Sequence, residues 1–142
     1  MKLLLFSFFL LMSGFVQAQE ELSFFDGKGR ASAYIVADDD LTIYLWSGEP
    51  VAYLVRDGGR EFHVYGFNGK HLGWFVRGII RDREGDAVCA LKEMISNPQS
   101  EPLKSLKSLK SLKSLKELAP LRPLFSNQWG ELPCRFFLSQ GK

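Results

Sequence analysis

The sequence predicts an all-β protein: four β-hairpin repeats about a pseudo-fourfold axis, forming a shallow antiparallel barrel. Three observations predict it. A short phrase recurs four times between residues 24 and 91, as FFDGKGRASAYI, IYLWSGEPVAYL, VYGFNGKHLGWF and IRDREGDAVCAL. The copies align on Gly29, Gly48, Gly69 and Gly85, which stand 19, 21 and 16 residues apart. That spacing suits two strands of about five residues and two short turns per unit. Ala33, Ala52, Gly73 and Cys89 follow their glycines by four and are small, whereas Tyr34, Tyr53, Trp74 and Ala90 follow by five and are mostly large aromatics. Adjacent strand residues face opposite sides of a sheet, so one face is small in all four units and the other is bulky in three. Small side chains crowd where strands converge on an axis, and closing the ring removes most free edges.

Residues 1–18 precede the fold. Lys2 supplies a positive start, Leu3 to Val16 is apolar apart from Ser and Gly, and Val16-Gln17-Ala18 is a small-x-small cleavage signature. This is the pattern of a secretory signal peptide, too short for the roughly 20 residues of a spanning helix. Export to the periplasm or outside the cell is therefore expected. With no Cys directly after Ala18, no lipid anchor is expected there.

Residues 19–98 hold the four hairpins. Val, Ile, Tyr, Phe and Trp fill the arms, and Lys28-Gly29, Ser47-Gly48, Asn68-Gly69 and Glu84-Gly85 are the turn dipeptides. Asp26 and Asp82 stand three before their glycines, where a carboxylate accepts turn N–H groups. Asp38-Asp39-Asp40, Asp57-Gly58-Gly59 and Arg77-Gly78 separate the units. The triple Asp lacks the alternating spacing of a calcium loop and is expected as an exposed turn.

Residues 99–119 contain LKSLKSLKSLKSLK, a three-residue repeat. A step of three turns an α-helix through about 300°, which scatters the leucines around its circumference. In a 3-10 or polyproline II conformation they would align. Leu, Lys and Ser favour helix over polyproline II, so the expectation is a partly helical or irregular tether. Pro120 and Pro123 then break any helix. In the tail, residues 120–142, Leu124, Phe125, Trp129, Phe136, Phe137 and Leu138 are expected to return over the sheet.

Cys89 and Cys134 are the two cysteines, and in an exported chain an even count invites a disulfide. Closing a loop of about 45 residues would stabilise the fold by roughly 4 kcal/mol. The alternative is two buried thiols. Charge is split: residues 19–98 carry 9 Lys+Arg against 13 Asp+Glu, a balance of −4, and residues 99–142 carry 8 against 3, a balance of +5. The halves would attract one another, or the basic tail would face an anionic partner.

The phrases YLWSGEPVAYL, VYGFNGKHLGWF and GIIRDREGD, with PLRPLFSNQWGELP and FFLSQG in the tail, resemble the bacterial 4-fold β-flower family over roughly residues 22 to 140. The resemblance implies a shallow barrel of petal-like hairpins and brings no established activity or catalytic residues. The barrel has been likened to the tubby-type phospholipid-binding domain, an analogy of fold alone. In the fourth unit Arg81, Arg83 and Ala90 replace aromatics, which breaks strict fourfold repetition.

No catalytic set, cofactor motif or metal spacing is read from the chain. A pair of Cys89 with His63 or His71 would be nucleophile and base, but Cys89 occupies the small position of the repeat. Neither GxSxG nor a phosphate loop occurs. The expected function is an exported, non-enzymatic binding or structural module of the envelope, with Tyr34, Tyr53 and Trp74 as ligand-contact candidates. The alternative is a membrane-surface protein whose Lys104, Lys107, Lys110, Lys113 and Lys116 meet anionic lipid or an acidic envelope protein. A hydrolase of unknown type is the third reading, and nucleic acid is not an expected partner after export.

Overall fold

The computed structural model describes residues 20–38 and 40–142. The expected signal peptide, residues 1–18, lies outside the described residues, as does Asp39 of the acidic triplet. Eight strands follow one another as β1 Glu21–Phe25, β2 Ala31–Val36, β3 Thr42–Leu45, β4 Pro50–Arg56, β5 Phe62–Gly66, β6 His71–Val76, β7 Ile79–Arg81 and β8 Ala87–Leu91. Each pairs antiparallel with the next, and β8 returns to β1 through Phe24↔Leu91 and Phe25↔Ala90 to close the barrel. The four hairpins are β1–β2, β3–β4, β5–β6 and β7–β8.

One turn is built four times. The glycine N–H donates to the carbonyl three residues earlier: Gly29 to Asp26 (3.0 Å), Gly48 to Leu45 (2.8 Å), Gly69 to Gly66 (3.0 Å) and Gly85 to Asp82 (3.1 Å). These glycines have φ between 77° and 93°, a region that side chains disfavour. The register shifts at Phe25, Tyr44, Tyr65 and Arg81, four residues before each glycine. A bulge re-aims the side chains beside it, so the same position is turned outward in every hairpin. As expected, Asp26 and Asp82 accept backbone N–H groups of their own turns.

The small-residue position now has a physical explanation. Phe24, Ile43, Val64 and Ile80 are fully buried inside the barrel. Their direct cross-strand partners are Ala33, Ala52, Gly73 and Cys89. Each hairpin therefore pairs one large side chain with one small one, and the narrow interior has room for four large groups only because their partners are small. At Gly73 a Cβ would collide with the Arg81 carbonyl.

A short helix, α1 Cys134–Ser139, plugs the barrel beside these layers. Its Phe137 and Leu138 join the interior cluster, and Cys134 is bonded to Cys89. Asn68 N–H and Asn68 Nδ2 donate to the Gly141 and Gln140 carbonyls, tying the end of the chain to the third turn. Of the tail residues expected to cover the sheet, Phe137 and Leu138 are buried, whereas Leu124 and Phe136 are exposed.

Residues 99–119 take the irregular form, one of the two expected, within a longer stretch, residues 97–126, that is docked on the barrel and is not a free tether. They form no helix and no ladder, and they are docked round the outside of the barrel as an extended strap. The contacts recur every nine residues. Gln99, Ser108, Glu117 and Ser126 donate their N–H groups to the carbonyls of Gly29, Gly48, Gly69 and Gly85, at 2.8 to 3.0 Å. Two residues earlier in each case, the carbonyls of Asn97, Leu106, Leu115 and Leu124 lie where a glycine Cβ would be. Three triplets thus carry the strap from one hairpin to the next. Helix propensity is a matter of tenths of a kcal/mol per residue, and the four docking points override it.

Candidate functional site

The outer face of the barrel is organised by the seams between hairpins. The residue five after one glycine stands opposite the residue four before the next: Tyr34↔Tyr44, Tyr53↔Tyr65, Trp74↔Arg81 and, at closure, Ala90↔Phe25. The first two pairs are stacked rings with centroids 5.6 and 6.3 Å apart. Trp46 meets Tyr34 edge-on and Phe67 meets Tyr53. Tyr34, Tyr53 and Trp74, the ligand-contact candidates, do recur on one face, but they are 1%, 3% and 1% exposed because the strap lies over them. A ligand reaches them only by lifting the strap.

What covers them is the other candidate set. Lys104 Nζ lies 4.6 Å from the Tyr34 ring centre and Lys113 Nζ lies 4.2 Å from that of Tyr53. Lys107 sits over Tyr44 and Lys116 over Tyr65, at 5.8 and 5.7 Å. At the third seam the partners are exchanged. The barrel supplies the cation, Arg81, and the strap supplies the ring, Phe125, with centres 4.7 Å apart. Arg122, nine residues after Lys113, also stacks on Phe125. Cations over aromatic faces are attracted by the ring quadrupole, so each seam carries such a contact wherever the strap crosses it.

Carboxylates complete the arrangement, at one repeat position. Glu21, Asp40 and Glu61 each stand eight residues before their glycine, and they pair with Lys104 (2.8 Å), Lys113 (2.7 Å) and Arg122. Lys107 adds a second contact to Glu21, and Lys110 bridges Asp38 and Asp40. Asp38 and Asp40 therefore take their cations from the strap. Burial raises the Glu21 carboxyl, but hydrogen bonds from Lys104 and Lys107 outweigh it and hold the group below the usual value. Asp38 is likewise lowered, burial being outweighed by hydrogen bonds from Lys110 and Thr42. Burial, with the negative charge of Glu21, pushes the Tyr34 phenol up to about 12.

With the lysines turned inward, the leucines face out. Leu103, Leu106, Leu109, Leu112, Leu115, Leu118, Leu121 and Leu124 are 93–98% exposed. Every third residue over 22 positions thus presents an isobutyl group to solvent, far more than the scattered apolar contacts ordinary on a soluble surface.

A cleft of about 750 Å³ opens between the third and fourth hairpins, lined by His71, Asp82, Glu84, Asp86, Glu117 and Glu131 among others. His71 is 1% exposed, with its backbone N–H donating to Glu117 Oε1 (2.7 Å). Its Nε2 lies 3.0 Å from His63 Nδ1, and His63 Nε2 lies 3.2 Å from Asp57 Oδ1. His71 Nδ1 is a buried side-chain atom without a hydrogen-bond partner among the described residues. Burial, then the proximity of the His63 ring and of the Arg83 guanidinium, push the His71 imidazole down to about 4. A Cys89–His nucleophile is not available, because Cys89 is in the disulfide. No group of three or more His, Cys, Asp or Glu among the described residues is arranged to hold a metal ion.

Sequence reasoning found both candidate sets and missed that they are halves of one interface. It also missed the Asp57–His63–His71 chain. A signal for the strap was present: leucines continue every third residue through Leu118, Leu121 and Leu124, beyond the lysine tract.

The comparisons with known proteins bear on the fold. The family model described as 4-fold beta flower protein matches residues 22–138, which takes in the barrel, the strap and most of α1. No curated protein and no solved structure matches the chain.

Proposed function

We propose that this chain, which belongs to the 4-fold beta flower family, is an exported, non-enzymatic module that docks on the surface of a lipid bilayer through the outward leucines of its strap. One observation carries the reading: eight leucines in a single period-three row, each at least 93% exposed. A row this large is unfavourable in water and favourable against apolar material.

Three features favour a bilayer as that material. The row is chemically uniform, without the aromatic and Arg anchors on which protein interfaces concentrate their energy. Four of the five strap lysines, Lys104, Lys107, Lys110 and Lys113, pair with Glu21, Asp38 and Asp40, and Lys116 lies over the Tyr65 ring, so approach to hydrocarbon strands little unpaired charge. Most strap backbone groups make no protein hydrogen bond and stay hydrated, which limits insertion to the side chains. Because the row follows the curve of the barrel, a flat surface meets only part of it at once. At about 1.5–3 kcal/mol per buried leucine, the gain is comparable to that of one acyl chain, and binding is reversible.

The test is co-sedimentation with neutral phosphatidylcholine vesicles and with anionic vesicles, at low and high salt. Docking by leucine predicts binding to both, resistant to salt and lost in Leu106→Ser/Leu109→Ser/Leu112→Ser. Binding confined to anionic vesicles and abolished by salt would return the contact to the lysines. Failure to bind either vesicle would sink both membrane readings.

A further inference from the structure

The cleft between the third and fourth hairpins has no part in that docking, and we propose that it is a binding site for a small organic cation bearing N–H donors, a primary ammonium held between His71 Nδ1 and the carboxylates of Glu117 and Glu131. The argument starts with the tautomers. An ionised carboxylate only accepts hydrogen bonds, so Asp57 requires the proton of His63 on Nε2. With its one ring proton on Nε2, His63 offers a lone pair at Nδ1, and the 3.0 Å contact is filled by the Nε2–H of His71. That leaves His71 Nδ1 as a bare acceptor. Asp57 and His63 therefore serve as positioning residues that fix which nitrogen of His71 is open.

A buried acceptor without a donor is unfavourable, and no described residue provides a donor for it. His71 stands in the wall of the cleft, beneath Glu117. The lining carries Asp82, Glu84, Asp86, Glu117 and Glu131 against Lys70 and Arg83, an excess of negative charge. The strain of that excess shows at Asp82: burial pushes its carboxyl up, a hydrogen bond from the Asp86 amide partly offsets this, and Glu84 and Asp86 add to the rise. A cation relieves the carboxylates and an N–H satisfies the imidazole, so one ammonium answers both needs. The other hairpins lack such a site, since Ala31, Pro50 and Ala87 occupy the position of His71 two residues after their glycines.

The experiment follows the imidazole nitrogens of His71 by NMR in the soluble protein, without vesicles, during titration with 1,4-diaminobutane and, separately, with tetramethylammonium. The second probe carries the charge but no N–H. The expected result is a saturable shift of His71 Nδ1 with the diamine alone, and an apparent Kd raised about tenfold in Glu131→Gln. His63→Phe, which frees the tautomer, should remove the Nδ1 response while leaving weak charge-driven binding. Equal responses to both probes, or a diamine that binds without moving His71 Nδ1, would overturn the proposal. Leu106→Ser/Leu109→Ser/Leu112→Ser should bind the diamine as the parent protein does, which separates this result from the vesicle assay.

Discussion

The barrel and the strap circle the same axis, are read against the same four glycines, and are held by opposite physics. The barrel closes on buried apolar pairs, a continuous ladder and a disulfide. The strap adds no apolar interior. It is held by hydrogen bonds to four glycine carbonyls, cations on ring faces and exposed ion pairs. Area burial is worth kilocalories per residue, and exposed ion pairs mostly below one. The difference teaches that one repeat can carry two layers of unequal strength, a rigid scaffold and a peelable cover.

The largest expected effect lies in the barrel. Cys89 and Cys134 close a separation of 45 residues and anchor α1 in the interior. Cys89→Ala/Cys134→Ala should lose about 4 kcal/mol, seen as a lower urea midpoint. Trp46 reports on the strap, because its Nε1 donates to the Pro102 carbonyl at 3.1 Å. If its emission in the variant remains native below the global transition, the strap depends on the barrel surface and not on the plug. Emission that changes in advance of barrel unfolding would tie the two layers more closely than the structure suggests.

Acid should separate the layers. His71 takes a proton near 6.5 when unfolded but only near 4 in the barrel. Between those values the unfolded state binds more protons, so barrel stability falls as pH drops from about 6.5 to about 4. Glu21 and Asp38 behave as lowered carboxylates. Their contribution is complete above the ordinary carboxylate range and is lost as pH falls through the lowered values. Far-UV circular dichroism melts should therefore weaken first, with Trp46 emission changing at lower pH. A Trp46 change already complete at pH 5 would contradict this order.

The two layers were also unequally legible in the sequence. Strand periodicity is local, so FFDGKGRASAYI and its copies reveal hairpins by themselves, and the small position after each glycine points to a crowded axis. The strap is legible only against the barrel. Its period of three fits several conformations, and what selects one is that Glu21, Asp40 and Glu61 stand eight before their glycines while Lys104, Lys113 and Arg122 stand nine apart. Neither spacing means anything until the barrel closes. The same holds for the cleft: His63 and His71 flank one turn in the sequence, but their contact, and that with Asp57, depends on the pairing of β5 with β6.

A glycine pair measures the grip of the strap directly. Gly48 and Gly58 have nearly the same φ, 93° and 89°. A Cβ at Gly48 would collide with the Leu106 carbonyl, whereas one at Gly58 would meet nothing within 4 Å. Gly58→Ala should therefore cost only the left-handed conformation, roughly 1–2 kcal/mol. Gly48→Ala should cost that and loosen the strap, so trypsin should cut at Lys104, Lys107 and Lys110 several-fold faster than in Gly58→Ala. Equal cleavage in the two variants would mean that the glycine contact does not hold the strap.

The smallest effect should come from single lysines. Lys110 bridges Asp38 and Asp40 and, unlike Lys104, Lys107, Lys113 and Lys116, makes no cation–π contact among the described residues. Its removal isolates the ion pair, and Lys110→Ala should change stability by about 0.2–1 kcal/mol, less in high salt. Lys113→Ala removes an ion pair and a ring contact 4.2 Å from the Tyr53 centre, and the ring contact adds about 0.5–1 kcal/mol at an exposed site. The ring contribution is less sensitive to salt because the ring carries no net charge for ions to screen. Measured at low and high salt by tryptic cleavage of the strap, the two variants should differ more at high salt, in ratio, than at low salt. If both become neutral in salt, ion pairs alone hold the strap, and the aromatic seams are barrel packing with no part in retaining it.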